Sequence, residues 1–358
     1  MKSIGMDVHS KQTAFQVVDE EGRIVDRGKV DTMAEALQAV VRRHGLNGVR
    51  VALEASTPAF WIRDALVSAG AEVQVTNPYK LRLIAESRQK TDENDAAILA
   101  ELLRCGGLPR AVYVPPPAIR QLREQLSLRR QLIRIRTQVI NGAKASMRRR
   151  GERYTARTFH TAISWKDQDK ALSVVGPLQG LWRQVEEERL RIEKKLNKEW
   201  QNDSVIQRLQ TIPGVGPIVA YTLVAALGEI DRFKSAEQVS SYAGMIPTER
   251  SSGEKVVRGS ITHQGRSELC GAMVQAAWAV LRTKRPEAEG LQKRFYKLMF
   301  KRGSQIAIVA MARKLLTIAY QVWKSGTVFD GNRVGKQTKP MARGKDRARV
   351  ACGADATA

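Results

Sequence analysis

Apolar positions in the first hundred residues come in short runs at two different spacings. Residues 3–8, 12–18 and 23–30 read as strands, and Glu20-Glu21-Gly22 turns the second into the third as a hairpin. An amphipathic helix is predicted over 33–45, a strand over 48–54, a helix over 58–69 and a strand over 72–76. A further helix opens at Lys90-Thr91-Asp92-Glu93-Asn94-Asp95 and carries an apolar run behind it. Three strands in a meander followed by alternating helix and strand predict an α/β domain, a mixed sheet flanked by helices.

From Pro115-Pro116-Pro117 the period changes, because the prolines interrupt what precedes them and a long helical pattern follows. Leu128, Leu132, Ile135 and Val139 predict one apolar seam, and Val185, Ile192 and Leu196 a second in the Glu- and Lys-rich stretch 181–200. Both seams suit a helical arm, although neither is sustained over enough heptads to prove a coiled coil. Apolar-periodic helices are predicted again over 266–282 and 304–324, where Trp278 and Trp323 read as packing residues. Beyond Gly331 little is apolar, which predicts a disordered basic tail.

Charge changes this picture from architecture to partner. The 358 residues carry a net charge of +24, with a sequence pI of about 10.3 and an ordinary 43% hydrophobic content. Such an excess of Lys and Arg attracts polyanions, with nucleic acid the leading class. The first hundred residues are close to neutral, so the basic excess lies in the later segments. Arg129, Arg130, Arg134, Arg148 and Arg149 fall within the first arm helix with few acids near them in sequence, and they are read as phosphate contacts. No apolar run approaches the ~20 residues of a spanning helix, the start lacks the apolar core of a signal peptide, and Cys105, Cys270 and Cys352 form neither a paired framework nor a metal cluster. A cytoplasmic protein without a membrane partner is expected.

Four acids stand at positions that ordinary packing does not explain. Asp7 ends the run Ile4-Gly5-Met6 and Glu54 ends Val49-Arg50-Val51-Ala52-Leu53, whereas buried strands do not normally finish on carboxylates without a charged partner. Asp92 and Asp95, three apart on one helix face, have Cβ atoms roughly 5–6 Å from each other. Taken alone, this pair favours a helix cap at Asp92 over a metal site; the two strand-end acids change that reading.

Two later motifs carry further chemistry. Thr211-Ile212-Pro213-Gly214-Val215-Gly216-Pro217 has the form of a helix-hairpin-helix turn, in which Gly214 and Gly216 would let backbone amides approach a phosphate without reading sequence. Tyr242 to Lys255 leads a helix into a polar loop ending near Gly265, with Ser251-Ser252-Gly253 inside it and Lys255, Arg258 and Arg266 close enough in sequence to neutralise a phosphate. Read bare, Ser-Ser-Gly is a turn.

Taken together, Ile4-Gly5-Met6-Asp7 with Lys11, Glu54-Ala55, Lys90-Thr91-Asp92 with Asp95, Ile212-Pro213-Gly214-Val215-Gly216, and Gly244 to Pro247 followed by Ser252-Gly253 resemble the Piv-like DEDD transposases of bacterial insertion sequences (insertion-sequence family 110). The resemblance spans about residues 3–330. It implies a RuvC-like, ribonuclease-H-type domain over 1–110 whose acids Asp7, Glu54, Asp92 and Asp95 bind divalent metal. It further implies a basic helical arm over 111–204 and a mostly α-helical domain over 205–330 that supplies a nucleophilic serine, Ser252, with the tail at 331–358. Ser251 is the alternative should the register differ by one. Where the family has Thr-Gly and an aromatic residue after Glu-Ala, this chain has Ser56-Thr57-Pro58-Ala59-Phe60.

The resemblance also implies activity and partners. Hard oxygen ligands select Mg²⁺, and the implied reaction cuts and rejoins donor and target DNA through a phosphoserine intermediate. Guidance by a structured non-coding RNA of the element (bridge RNA) and a homo-oligomer, dimer or tetramer, follow by the same resemblance, as does a bacterial, nucleoid-associated setting. A hydrolytic RuvC-like nuclease or junction resolvase would need the acids without the serine. A non-catalytic nucleic-acid-binding protein would need the basic arm alone.

Overall fold

The structure is a computed structural model that describes residues 1–45, 48–82, 91–166, 169–252, 255–262 and 264–331. The chain divides between Pro115 and Pro116 into two compact units.

The first unit contains β1 (Lys2–Val8), β2 (Gln12–Val18), β3 (Ile24–Asp31), α1 (Ala34–His44), β4 (Val49–Glu54), α2 (Ala59–Ser68), β5 (Glu72–Thr76), α3 (Pro78–Arg82) and α4 (Asp92–Arg104). Its strands form one sheet in the order β3-β2-β1-β4-β5. β1, β2 and β3 are successively antiparallel, while β4 runs parallel to β1 and β5 parallel to β4. That is the topology of a ribonuclease-H-type sheet and agrees with the α/β expectation.

Both faces of the sheet centre are covered, which is why Ile4-Gly5-Met6 reads as a continuous apolar run. On one face Ile4, Met6, Val17, Val51 and Leu53 bury against Leu37, Val40 and Val41 of α1 and Ile62 and Leu66 of α2. On the other, Ala52 packs with Leu81, Leu99 and Leu103, the last two from α4. Fully burying each such Leu or Ile stabilises the fold by roughly 1.5–3 kcal/mol.

The second unit is mostly helical. It comprises α5 (Pro117–Arg149), α6 (Ala162–Lys166), α7 (Asp169–Trp200), α8 (Ser204–Gln210), α9 (Pro217–Leu227), α10 (Ala236–Tyr242), β6 (Pro247–Ser252), β7 (Lys255–Ile261), α11 (Ser267–Arg282), α12 (Glu289–Arg302) and α13 (Ser304–Ser325). α5 is about 50 Å long. Its partners Gln125–Glu199, Arg129–Glu193 and Arg136–Glu186 step in opposite directions along α7, so the two helices lie antiparallel.

At one end of this pair Leu122, Leu126 and Leu196 enter the main helical core, and at the other Val139, Ile140 and Met147 pack with Phe159, Trp165 and Trp182. α9 is apolar on every side and sits in the core, as its buried Tyr221, Leu223, Val224 and Leu227 show. α13 is long and apolar enough to cross a membrane by length and composition, yet 56% of that window is packed inside the helical core. It is a core helix.

Four sequence expectations are corrected here. The stretch after Gly244 is not a plain loop: β6 and β7 form an antiparallel hairpin in which Ser252 pairs with Lys255. A two-stranded ladder needs only backbone partners, so its polar sequence gave no alternation to detect. The seam of α5 is also rotated, with Leu128 and Ile135 exposed while Leu122, Leu126, Val139 and Ile140 are buried. Trp278 is exposed, whereas Trp323 packs against the core. Three of the arm arginines, Arg129, Arg130 and Arg136, do have acid partners, contributed by α7 and α11 and invisible to local inspection. Lys90, Gly253 and the expected tail beyond Gly331 lie outside the described residues.

Candidate functional site

In the first unit Asp7 comes together with Asp92 and Asp95 because one glycine lets a helix touch the sheet. Alternate residues of β1 share a face, and on the Gly5 face a Cβ would stand 2.0 Å from the Ala96 carbonyl oxygen and 2.4 Å from the Ala100 nitrogen of α4. Asp7, two residues on, faces the same way, below the first turn of α4 where Asp92 and Asp95 lie. Gly5 pairs with Ala52 of β4, and alternation places Glu54 on that same face, one step beyond the Met6–Leu53 pair. Glu54 is half-buried and registers with Thr76 of β5.

The start of α4 settles what Asp92 does locally. The N-cap is Thr91, whose hydroxyl accepts from the Asn94 amide at 3.2 Å. Asp92 therefore is not the cap, and its carboxylate is available to other partners. The helix N-terminus still favours acids in its first turn.

Electrostatics report how close the groups are. Burial pushes the Asp7 carboxyl above its ordinary value; His9 opposes this by charge and by a hydrogen bond, while Asp95 and Asp92 add repulsion in the upward direction. His9 is the residue that sequence reading missed. Its Nε2 stands 3.1 Å from Asp7 Oδ2 and 3.3 Å from Asp92 Oδ1, and a hydrogen bond from the Thr32 hydroxyl to the His9 carbonyl at 2.8 Å fixes its backbone. The available signal was the Asp-Val-His spacing, since residues i and i+2 at a strand end share a face.

Asp7, His9 and Asp92 offer ligand atoms all within 4.8 Å of one another. Carboxylate oxygens that repel across a half-buried gap fit a hard divalent cation. A single imidazole beside them is compatible with the same ion or with a hydrogen-bonding neighbour.

The predicted nucleic-acid contacts of the second unit separate into distinct environments. Gly214, at φ +83°, packs on α11: a Cβ there would meet the Ala276 carbonyl oxygen at 2.3 Å and Val280 Cγ2 at 2.7 Å. Gly216 is exposed, is the N-cap of α9 with no side-chain cap, and has open space where a Cβ would be. Arg129 pairs with Glu193 at 2.7 Å and Arg130 with Glu268 at 2.9 Å. Arg134 has no carboxylate partner among the described residues, Arg148 donates to the Tyr154 hydroxyl at 2.6 Å, and Arg149 is exposed. Ser252, Lys255 and Arg258 are placed by their backbone at the ends and in the middle of the β6–β7 hairpin, with side chains described only up to Glu249 and again from Gly259.

Comparison with known proteins decides the family. Residues 4–149 match the DEDD transposase model of the IS110 group, and residues 206–292 match the model described as transposase IS116/IS110/IS902 family. Together they cover about two thirds of the chain. The chain belongs to the IS110 family of DEDD transposases. Among its relatives, the transposase for insertion sequence element IS1111A of Coxiella burnetii is 25% identical over 88% of this chain and 87% of that protein. The pilin gene-inverting protein of Moraxella bovis is 27% identical over 77% and 80% respectively. A solved structure, T. thermophilus RuvC in complex with Holliday junction substrate, is similar at 16% identity and a TM-score of 0.24, covering 30% of this chain and 98% of that one.

For this IS110-family chain, the first of those matches contains Asp7, Glu54, Asp92 and Asp95, and the second contains Gly214, Gly216 and the β6–β7 hairpin with Ser252.

Proposed function

We propose that this chain is the transposase of an insertion sequence, cutting and rejoining DNA strands by way of a covalent bond between Ser252 and a DNA phosphate. The observation that carries the reading is the convergence of Asp7 with Asp92 and Asp95 beneath a helix capped by Thr91 rather than by Asp92. Carboxylates this close repel one another unless a cation neutralises them, which supports a metal-binding role.

In this reading Asp7, Glu54, Asp92 and Asp95 hold Mg²⁺, with His9 at the rim. When bound, the ion supplies charge stabilisation to the phosphate undergoing displacement. The Ser252 hydroxyl loses its proton and its Oγ forms a bond to phosphorus, while the bond from phosphorus to one sugar oxygen breaks and that oxygen takes up a proton, leaving a strand end with a free hydroxyl. Attack by the hydroxyl of another strand end on the phosphoserine reverses the bond changes, restores the serine and joins the new strand. No water is consumed, so the phosphodiester energy is kept. Lys255 pairs with Ser252 across the hairpin and Arg258 lies further along the same strand, opposite Glu249; both residue types suit the charge of the displaced phosphate. The net charge of +24 supports a large polyanionic load, consistent with donor and target DNA and an element-encoded guide RNA whose base pairing reads the sites. The acids and the serine come from separate units, which suits a site composed from more than one copy in a homo-oligomer.

The test is covalent trapping. With Mg²⁺, labelled donor DNA and RNA transcribed from the flanking non-coding DNA, the wild-type protein is expected to give a denaturant-resistant protein–DNA adduct, and Ser252→Ala none. Adducts that persist in Ser252→Ala and vanish in Ser251→Ala move the nucleophile by one residue. Cleavage without any adduct in the wild type establishes the hydrolytic nuclease instead.

A further inference from the structure

The second unit holds a cleft of about 800 Å³ between α5, α9 and α11, and its lining is unusual for a protein interior. Five arginines, Arg123, Arg129, Arg130, Arg134 and Arg266, face two glutamates, Glu124 and Glu268. The floor is apolar and small, with Ile218, Val219, Ala225 and Ala226 from α9 and Gly271 and Ala272 from α11.

Not all of the positive charge is spoken for. Arg123 donates to the Ala225 carbonyl at 2.6 Å and so closes the C-terminal end of α9. Arg129 is held by Glu193, and Arg130 by Glu268. Arg134 and Arg266 have no carboxylate partner among the described residues. Arg266 Nε instead donates to the Tyr242 hydroxyl at 3.0 Å, which fixes the plane of its guanidinium. Burial, and then the charges of Arg134 and Arg266, hold the Arg130 guanidinium below its ordinary value, so three like charges crowd one partly dehydrated place. The same wall carries the start of α11, whose N-cap is Arg266 with no side-chain cap, adding a positive helix end. Crowded guanidiniums over an apolar floor fit an anion attached to something flat and apolar.

We propose that this cleft seats one nucleotide of a nucleic-acid strand, its phosphodiester against Arg134 and Arg266, beside the Glu268-paired Arg130, and its sugar and base on the Gly271–Ala272 floor. The assignment rests on the reading of this chain as a nucleic-acid enzyme. It adds a binding site within the second unit, one that needs no divalent ion. Planar guanidiniums match phosphate oxygens in pairs, and the contact is to backbone, so it is independent of sequence.

Gly271 supplies a charge-neutral test, because it lines the cleft and a Cβ there meets nothing within 4 Å, so a larger side chain takes up cleft space without changing the charge. Full-length protein is titrated in EDTA into fluorescein-labelled single-stranded DNA, duplex DNA and single-stranded RNA of mixed sequence, with anisotropy read at several salt concentrations. For at least one of the three probes, Arg134→Gln with Arg266→Gln is expected to weaken binding about tenfold or more. The same double variant should flatten the slope of log K against log salt by about 0.7–0.9 per lost phosphate contact. Gly271→Leu is expected to weaken the same probe with the salt slope nearly unchanged, and thermal melts should show every variant folded at the titration temperature, the Arg266→Gln variants melting somewhat lower for loss of the Tyr242 hydrogen bond. The affected probe identifies DNA or RNA as the source of the nucleotide. Wild-type binding that survives unchanged in folded double-arginine and Gly271→Leu variants removes the cleft and leaves the proposed function standing. Absence of wild-type binding to every probe removes both.

Discussion

Gly5 of β1 lies against Ala96 of α4 so closely that a Cβ at Gly5 would stand 2.0 Å from the Ala96 carbonyl oxygen. This backbone-to-backbone contact sets the height of α4 over the sheet. Because Asp7 shares the face of Gly5, and Asp92 and Asp95 open the helix that begins one turn before Ala96, the same contact sets how far the acids are from one another.

Gly5→Ala is therefore expected to act on stability and on the site together. The new methyl group cannot be accommodated by a side-chain rotation, since the nearest atoms are main chain and Leu99 Cβ. Overpacking of this kind costs about 1–3 kcal/mol and forces a backbone shift. Urea denaturation should show that loss, and calorimetric titration with Mg²⁺ or Mn²⁺ should show weakened binding even under conditions where the variant is fully folded. Unchanged ion affinity in folded Gly5→Ala would mean that α4 does not position the acids.

Asp7→Asn should stabilise the ion-free protein at neutral pH. The folded-state value of Asp7 is raised by burial and by Asp95 and Asp92, so the carboxyl favours folding when protonated and that advantage is lost as pH rises through its folded value. The amide removes the charge, so the variant should melt higher than the wild type at pH 7 in EDTA. The gap should close as the pH falls below the ordinary carboxylate range of about 4. Added Mg²⁺ should raise the melting temperature of the wild type and leave Asp7→Asn nearly unmoved. A wild-type protein that melts above Asp7→Asn in EDTA at pH 7 contradicts this account.

His9→Ala separates two roles for the imidazole. With its Nε2 between Asp7 Oδ2 and Asp92 Oδ1, His9 bridges the acids when no cation does. Its removal should lower the ion-free melting temperature and enlarge the increment produced by Mg²⁺, because the ion then relieves more repulsion. A smaller increment would make His9 a ligand.

Much of the first unit was legible because its signals are local. The strand runs, the acids that end β1 and β4, and the Thr91-Asp92 start of α4 all lie within short windows, and register then joins what the windows mark. His9 was missed because a histidine near a strand end has many ordinary explanations, and only Asp7 and Asp92 together single it out. The second unit hid its pairings in distance: Glu193 lies 64 residues from Arg129, so Arg129, Arg130 and Arg136 looked unpaired when they were not. The exposed Leu128 and Ile135 show the same limit, since apolar spacing fixes a stripe on α5 but not which neighbour covers it. The β6–β7 hairpin had no apolar alternation to reveal it.

Gly214 and Gly216 should respond to alanine to different degrees. At Gly214 the backbone has φ +83° and a Cβ would collide with Ala276 and Val280 of α11, so Gly214→Ala is expected to cost several kcal/mol, roughly 2 or more, from strain and overpacking. At Gly216 there is open space and an extended backbone with φ −88°, so Gly216→Ala should change stability only slightly, by about 1 kcal/mol for loss of an acceptable cap residue. If the exposed start of α9 meets a phosphate, the folded Gly216→Ala protein should nevertheless bind nucleic acid more weakly. Equal denaturation curves for the two variants would refute the packing assigned to Gly214.

The antiparallel pair α5–α7 is joined by a chain of charges, and its pH dependence has a definite sign. Arg189 donates to Glu186 and to Glu193 at 2.6 Å, Arg129 reaches Glu193 at 2.7 Å, and Arg136 reaches Glu186 at 2.9 Å while lying over the Trp182 ring. These groups are about one-fifth exposed, which screens them less than free surface pairs. The hydrogen bond and charge of Arg189, with Arg136 beside it, hold the Glu186 carboxyl below its ordinary value against the opposing effect of burial. A depressed carboxyl contributes stability that is present above its unfolded value, about 4.3, and is lost as pH falls through its folded value. Glu186→Gln should therefore cost about 1–2 kcal/mol at pH 7, with the difference from the wild type narrowing at acid pH and little affected by moderate salt. Because Arg129 and Arg136 are already engaged, Arg129→Gln should likewise lower stability more than it lowers nucleic-acid affinity, whereas Arg134→Gln should do the reverse. Chemical denaturation at several pH values and anisotropy titration on the same protein samples measure both halves of that contrast, and a Glu186→Gln protein as stable as the wild type at pH 7 would remove the network from the account of the arm.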